Sequence, residues 1–191
     1  MTTQAWAVLL GAYLLGAIPS AYLVARLAAG MDIRQLGNGN MGAKNTFQSL
    51  GLLSGLVVVA ADVGKGALAM AMARHFHLPE MVVMLAGVCV VLGHDFPLFL
   101  RFRDGQGMAT IVGVLGVLFP RETGVVLLVF AIALAVTHNW DRSCGIGFVL
   151  LPILLWLSGQ SPQRVLYPVL LAPTIGMKKL VQVWRARRVA T

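Results

Sequence analysis

Charge is what this chain has least of. Only 12% of its 191 residues are Asp, Glu, Lys or Arg, against about 25% in an ordinary soluble domain. Such a surface leaves little to hold a globular domain of this size in water. Cysteine is nearly absent too. Cys89 and Cys144 are the two, with no Cys-x-x-Cys and no Cys/His spacing suited to zinc. Both sit in or beside apolar runs and read as small buried hydrophobes. No basic residue precedes Arg26, whereas a cleaved signal peptide places positive charge first. The apolar start is therefore expected to be a retained helix. Internal repeats and low-complexity tracts are also missing.

What is present is oil and positive charge. The chain is 58% hydrophobic, with a mean hydropathy of +0.82, against about 45–50% apolar residues in soluble domains. The net charge is +8. In a soluble protein that excess would raise nucleic acid as a partner. Here the bases lie between apolar runs, so bilayer orientation and an anionic ligand account for them better, and no nucleic acid is expected.

A membrane-crossing helix needs about 20 apolar residues. Candidate runs lie at about 6–29, 52–72, 79–100, 108–120, 123–136, 145–157 and 162–177. Alternating the connections puts Arg26, Arg34, Lys44, Arg101, Arg103, Arg142, Lys178, Lys179, Arg185, Arg187 and Arg188 on one side. The other side holds Arg74, Arg121 and Arg164, and Lys65 falls within the second run. That imbalance is a strong positive-inside signal. The reading is an all-α integral membrane protein of about seven transmembrane helices, N-terminus outside and C-terminus cytoplasmic. Residues 1–177 form the membrane domain and 178–191 a basic cytoplasmic tail.

The polar residues concentrate in loops expected on the cytoplasmic side. The stretch 37–51 reads Gly-Asn-Gly-Asn-Met-Gly-Ala-Lys-Asn-Thr-Phe-Gln-Ser-Leu-Gly. Its first six residues satisfy G-x-G-x-x-G, but that fingerprint requires a preceding strand in a βαβ unit, and here a membrane run precedes it. A glycine loop opening a helix at Ala43 remains a cradle of backbone N–H groups for a phosphate-sized anion. Asp62 and Lys65, three residues apart, share a helix face in the second run. They are either a self-paired couple or a functional intramembrane pair. Gly93-His94-Asp95-Phe96-Pro97 and Arg101–Thr110 form a second patch, where Gly105-Gln106-Gly107 opens another apolar helix. In the third, Thr137–Ser143, Trp140 is expected to anchor at the interface and Ser143 to cap the sixth run or bond a ligand.

Together these loops resemble the PlsY family, the bacterial acyl-phosphate-dependent glycerol-3-phosphate acyltransferases. The family pattern runs S-I-P-x-G, then G-S-G-N-x-G-A-T-N-x-x-R-x-L-G, D-x-x-K-G, and G-H-x-F-P-x-F-x-x-F-x-G-G-K-G-V-A-T. This chain has Ala17-Ile18-Pro19-Ser20, the 37–51 loop, Asp62-x-x-Lys65-Gly66, and Gly93 through Thr110, in the same order and spacing over roughly the first 120 residues. The resemblance implies a bacterial inner-membrane enzyme with its site at the cytosolic face. It would transfer an acyl chain from acyl phosphate to the 1-hydroxyl of glycerol 3-phosphate, without a cofactor or metal. It implies catalytic roles for His94, Lys44 and Gln106. Substrate and phosphate binding would fall to Asn38, Gly39, Asn40, Gly42, Asn45, Gln48, Asp62, Lys65, Gly105, Gly107, Thr110 and Ser143. The donor's tail would need a lipid-facing groove.

Several positions depart from the pattern. Asn38 replaces its serine, Lys44 its threonine, Gln48 its arginine, Asp104 a glycine and Gln106 the lysine of the second loop. The pattern's C-terminal His-Arg-x-Asn has no match in 178–191. Two cations are lost, and Lys44 restores one. Two other classes fit parts of the chain: a non-catalytic family member that binds an anionic lipid, and a small-anion transporter using Asp62 and Lys65.

Overall fold

The computed structural model describes residues 1–98 and 107–171. Gly105, Gln106, Arg101, Arg103 and the basic tail lie outside the described residues. Within them every regular element is helical: α1 (Thr3–Gly16), α2 (Ser20–Ala29), a 3-10 turn (Ile33–Gln35), α3 (Ala43–His75), α4 (Glu80–Asp95), α5 (Met108–Leu118), α6 (Pro120–Thr137) and α7 (Trp140–Leu157), followed by α8 over 162–171.

Among the described residues each expected run contains a helix, with shifted ends. The first is broken at Pro19 into α1 and α2, because proline supplies no N–H to the helix ladder. The second begins earlier, at Ala43, and bends at Gly51 (φ 83°, ψ 179°). The sixth starts at Trp140 rather than 145, so the third polar loop shrinks to His138 and Asn139. Thr3–Ala29, Ala43–His75, Pro120–Thr137 and Trp140–Leu157 are long and apolar enough to cross a membrane, and α5 is a shorter apolar helix.

Two close helix pairings set the frame, α1 against α4 and α3 against α5, with α6 beside α7. Without a hydrophobic driving force between helices in lipid, small residues let backbones approach. On α5, a Cβ at Gly113 would sit on the Val63 carbonyl oxygen, and on α3 one at Gly66 would sit on that of Thr110. The α3–α5 crossing is thus a contact of backbone on backbone. We expect Gly113→Ala to cost about 1–3 kcal/mol through overpacking, read as a lowered unfolding midpoint in detergent. An unchanged midpoint would mean that this crossing has slack.

Two side chains tie helix ends across the bundle. The Tyr13 hydroxyl donates to the Phe96 carbonyl at 2.8 Å, fixing the end of α4 against α1. Arg164 Nε donates to Glu80 Oε1 at 2.5 Å, joining α8 to the start of α4.

Candidate active site

Asn45 organises the glycine loop. Almost wholly buried, its Nδ2 donates to the carbonyls of Asn40 (2.9 Å), Leu36 (3.0 Å) and Ile33 (3.4 Å). Its Oδ1 accepts from the Asn38 backbone N–H (3.1 Å) and the Ser49 hydroxyl (3.4 Å). Both ends of the amide of Asn45, expected to bind substrate, are committed to the loop itself. Gly37 permits this, with φ at +55° and no room for a Cβ against Asn45 Oδ1. Just upstream, the buried Asp32 carboxylate accepts from the Arg34 backbone N–H and guanidinium. That guanidinium holds the Asp32 carboxyl below the usual carboxylate range.

The loop ends at Gly42, where α3 begins with no side-chain cap. Gly107, at φ +65°, opens α5 the same way, and a Cβ there would press on Asp95 Oδ1. First-turn N–H groups of a helix lack intrahelical partners and carry partial positive charge. The start of α7 differs, because a side chain caps it: Asn139 Oδ1 accepts from the Arg142 N–H at 3.0 Å. Its first turn is also acidic, at Asp141.

All three starts border one cavity of about 480 Å³. One end is polar, lined by Asn38, Asn40, Gly42, Lys44, Asp62, His94 and Gly107. The other is an apolar groove between α5, α6 and α7, walled by residues such as Ile111, Leu115, Val126, Phe130, Phe148 and Leu151. Phe130 and Trp140 meet edge to face at 5.3 Å where the two parts join. Trp140, expected as an interface anchor, is therefore a cavity wall. Cys144 also lines it, and Cys89 is half-buried against the core. The groove shape is amphiphilic: room for an anionic head and an oily tail. Among the described residues, no group of three His, Cys, Asp or Glu is placed to hold a metal ion.

Beside the polar end lies a buried charge cluster. Lys65 Nζ is 3.0 Å from Asp62 Oδ1 and donates to the Ile18 carbonyl at 3.1 Å, at the break between α1 and α2. His94 Nδ1 stands 3.6 Å from the same Asp62 oxygen. All three side chains are buried, and a buried charge needs a partner. Lys65, expected to bind an anion, is paired with Asp62 and does not line the cavity.

Other expected positions also stand back from the cavity. Thr110 is fully buried at the α3–α5 crossing. Ser143 donates to the Asn139 carbonyl at 2.9 Å and meets the Thr137 hydroxyl at 3.3 Å, serving the turn before α7. Gln48 is exposed outside it, and Gly39 lends its positive φ to the loop. Sequence reasoning missed Thr123, Phe130, Asp141 and Phe148 on the cavity wall. The shortened third loop and the α6–α7 pair bring them there, and neither leaves a motif.

The family model described as glycerol-3-phosphate acyltransferase matches residues 6–188. The chain belongs to that family. A glycerol-3-phosphate acyltransferase 1 of Dehalococcoides mccartyi is 40% identical over 176 residues, 89% of this chain and 85% of the relative. A Bacillus subtilis glycerol-3-phosphate acyltransferase is 46% identical over 126 residues, 66% of this chain and 65% of the relative. The crystal structure of PlsY (YgiH), an integral membrane glycerol 3-phosphate acyltransferase in its glycerol 3-phosphate form, superposes with a TM-score of 0.85. It shares 26% identity, over 96% of this chain and 92% of that one. Like that acyltransferase, this chain is a helical membrane protein, and residues from three of its four motifs border one cavity.

Proposed function

We propose that the protein transfers a fatty acyl group from acyl phosphate to the 1-hydroxyl of glycerol 3-phosphate, giving lysophosphatidic acid and inorganic phosphate. The observation that carries this reading is the bipartite cavity, with an anion-attracting end continuous with an apolar groove. Family membership supports the acceptor, and the groove supports a lipid donor. The loops at the polar end are those on which the sequence alternation concentrates the bases, so we place this end in the cytosol of a bacterial inner membrane, with the N-terminus outside. Seven membrane passages are proposed, the short α4 and α5 being shielded by their neighbours.

Phosphate groups would lie against the uncapped starts of α3 and α5, with Lys44 at the mouth. Asn40, which lines the cavity, would turn its side-chain amide toward a substrate hydroxyl. His94 is the base. Asp62, 3.6 Å from Nδ1, would favour the proton on that nitrogen and leave Nε2 to act, the logic of a carboxylate-oriented imidazole. The acceptor oxygen attacks the acyl carbonyl carbon while its proton passes to His94. The carbon–oxygen bond to phosphate then breaks, and the departing phosphate takes the electron pair, with the proton returned from His94. The donor is already activated, so positioning and charge neutralisation supply much of the rate.

Lys44 stands where the family pattern has threonine and adds a cation beside Asn38, Asn40 and the α3 start. Charge-assisted hydrogen bonds are worth about 1.5–3 kcal/mol. Lys44→Ala is expected to lower kcat/KM by roughly 10- to 100-fold, chiefly through KM for the anionic substrates. Unchanged kinetics would refute its compensating role. The donor itself is tested by offering palmitoyl phosphate and palmitoyl thioester side by side with labelled glycerol 3-phosphate. Label should enter lysophosphatidic acid from the phosphate alone; equal use of the thioester would overturn the donor assignment.

A further inference from the structure

Helix α3 is two helical segments joined at a corner. Gly51 has φ 83° and ψ 179°, a backbone region essentially closed to residues with a Cβ. Among the described residues, nothing outside its own stretch of helix lies within 4 Å of where its Cβ would be. Backbone conformation, not space, reserves this position for glycine. At Gly55 the opposite holds. A Cβ there would overlap Cγ and Cδ1 of the Phe47 ring, so the ring lies directly on the buried Gly55 backbone. A straight helix would part residues 47 and 55 by about 12 Å along its axis. Helical side chains also lean toward the N-terminus, which would carry the Phe47 ring away from Gly55. The contact exists because the chain turns back at Gly51, and it joins the two segments across the corner.

Both segments reach the cavity. Gly42, Ala43 and Lys44, at the start of the first, line it, as do Val59, Asp62 and Val63 of the second. Unbent, α3 would set Lys44 and Asp62 about 27 Å apart along its axis. Resting on the reading of the α3 start as a phosphate cradle, we propose that Phe47, seated on Gly55, is a positioning residue that holds the Gly51 corner closed and so sets the affinity for substrate phosphate. Phe47 is not on the cavity wall. It acts through residues 43–50, the segment that presents Lys44 and the uncapped helix start. His94 stands on α4, so the chemistry that follows binding does not depend on this contact.

The test measures binding of inorganic phosphate and of glycerol 3-phosphate, alongside KM and kcat, for Phe47→Ala, Gly55→Ala and the double variant. The first removes the ring and the second fills its seat. If either leaves the corner closed in about a tenth of the molecules, Kd and KM rise roughly tenfold. At saturation kcat should stay near the wild-type value, because bound substrate holds the corner closed. In the Phe47→Ala background, Gly55→Ala should add little, since the ring it would displace has gone. A role confined to stability would lower the unfolding midpoint and leave Kd and KM in place, which would overturn the proposal. So would effects that simply add in the double variant. The binding arm decides the role of Phe47 whether or not acyl phosphate is the donor. Folded wild-type protein that binds neither anion would instead refute the cradle reading, and the proposal with it.

Discussion

His94→Gln is expected to lower kcat by about 10²–10⁴-fold, the range over which a positioned base contributes. The substitution keeps a polar side chain of comparable reach, so packing near Asp62 and the start of α3 should survive. A lost proton acceptor is then separable from a collapsed site. The sign of the pH dependence follows from the role. The wild type must carry a neutral imidazole, so its rate falls as pH drops and His94 is protonated. In His94→Gln that acid limb should vanish, leaving a low and flatter profile. A variant that keeps both the rate and the acid limb would show that the imidazole only packs.

Asp62→Ala should be the most damaging change to stability. Lys65 is 5% exposed and Asp62 2%, and the two are 3.0 Å apart. Removing the carboxylate leaves a buried ammonium whose remaining partner among the described residues is the Ile18 carbonyl, at a cost of about 3–5 kcal/mol. The measurement is denaturant unfolding in detergent micelles. The double variant Asp62→Ala, Lys65→Met should recover most of the loss, because replacing a buried pair with apolar residues is often close to neutral. It should stay poorly active, since His94 would no longer have Asp62 beside Nδ1. Wild-type stability in the single variant would mean that Lys65 finds water or another anion.

Much of this organisation is legible in the chain. Long apolar runs define the helices because lipid demands internally satisfied backbone, and glycine-rich islands between them mark the helix starts that border the cavity. Asn38, Asn40, Gly42, Lys44, Asp62, His94 and Gly107 are all readable as site residues, and all line it. What sequence cannot separate is lining the cavity from supporting the residue that does. Asn45, Lys65 and Thr110 carry the same polar chemistry as their neighbours. Their burial depends on the helix rotation fixed at the glycine crossings and on where the loop chain folds back. The apolar groove is foreseeable as a need of the donor's tail, but its wall is not. Residues such as Phe130 and Phe148 lie in runs that look alike whether they face lipid or a cavity. Thr123 does carry a signal, as a hydroxyl at the start of an apolar run. In the sequence it marks only a helix boundary, because nothing local distinguishes that from a cavity wall.

The central claim is acyl transfer from an acyl phosphate inside the two-part cavity. It is tested most directly by incubating purified protein with palmitoyl phosphate and glycerol 3-phosphate, and following inorganic phosphate and lysophosphatidic acid together. The account predicts that both appear in equal amounts, and that phosphate release requires glycerol 3-phosphate. Folded protein that releases no phosphate, or releases it at the same rate without the acceptor, would contradict it.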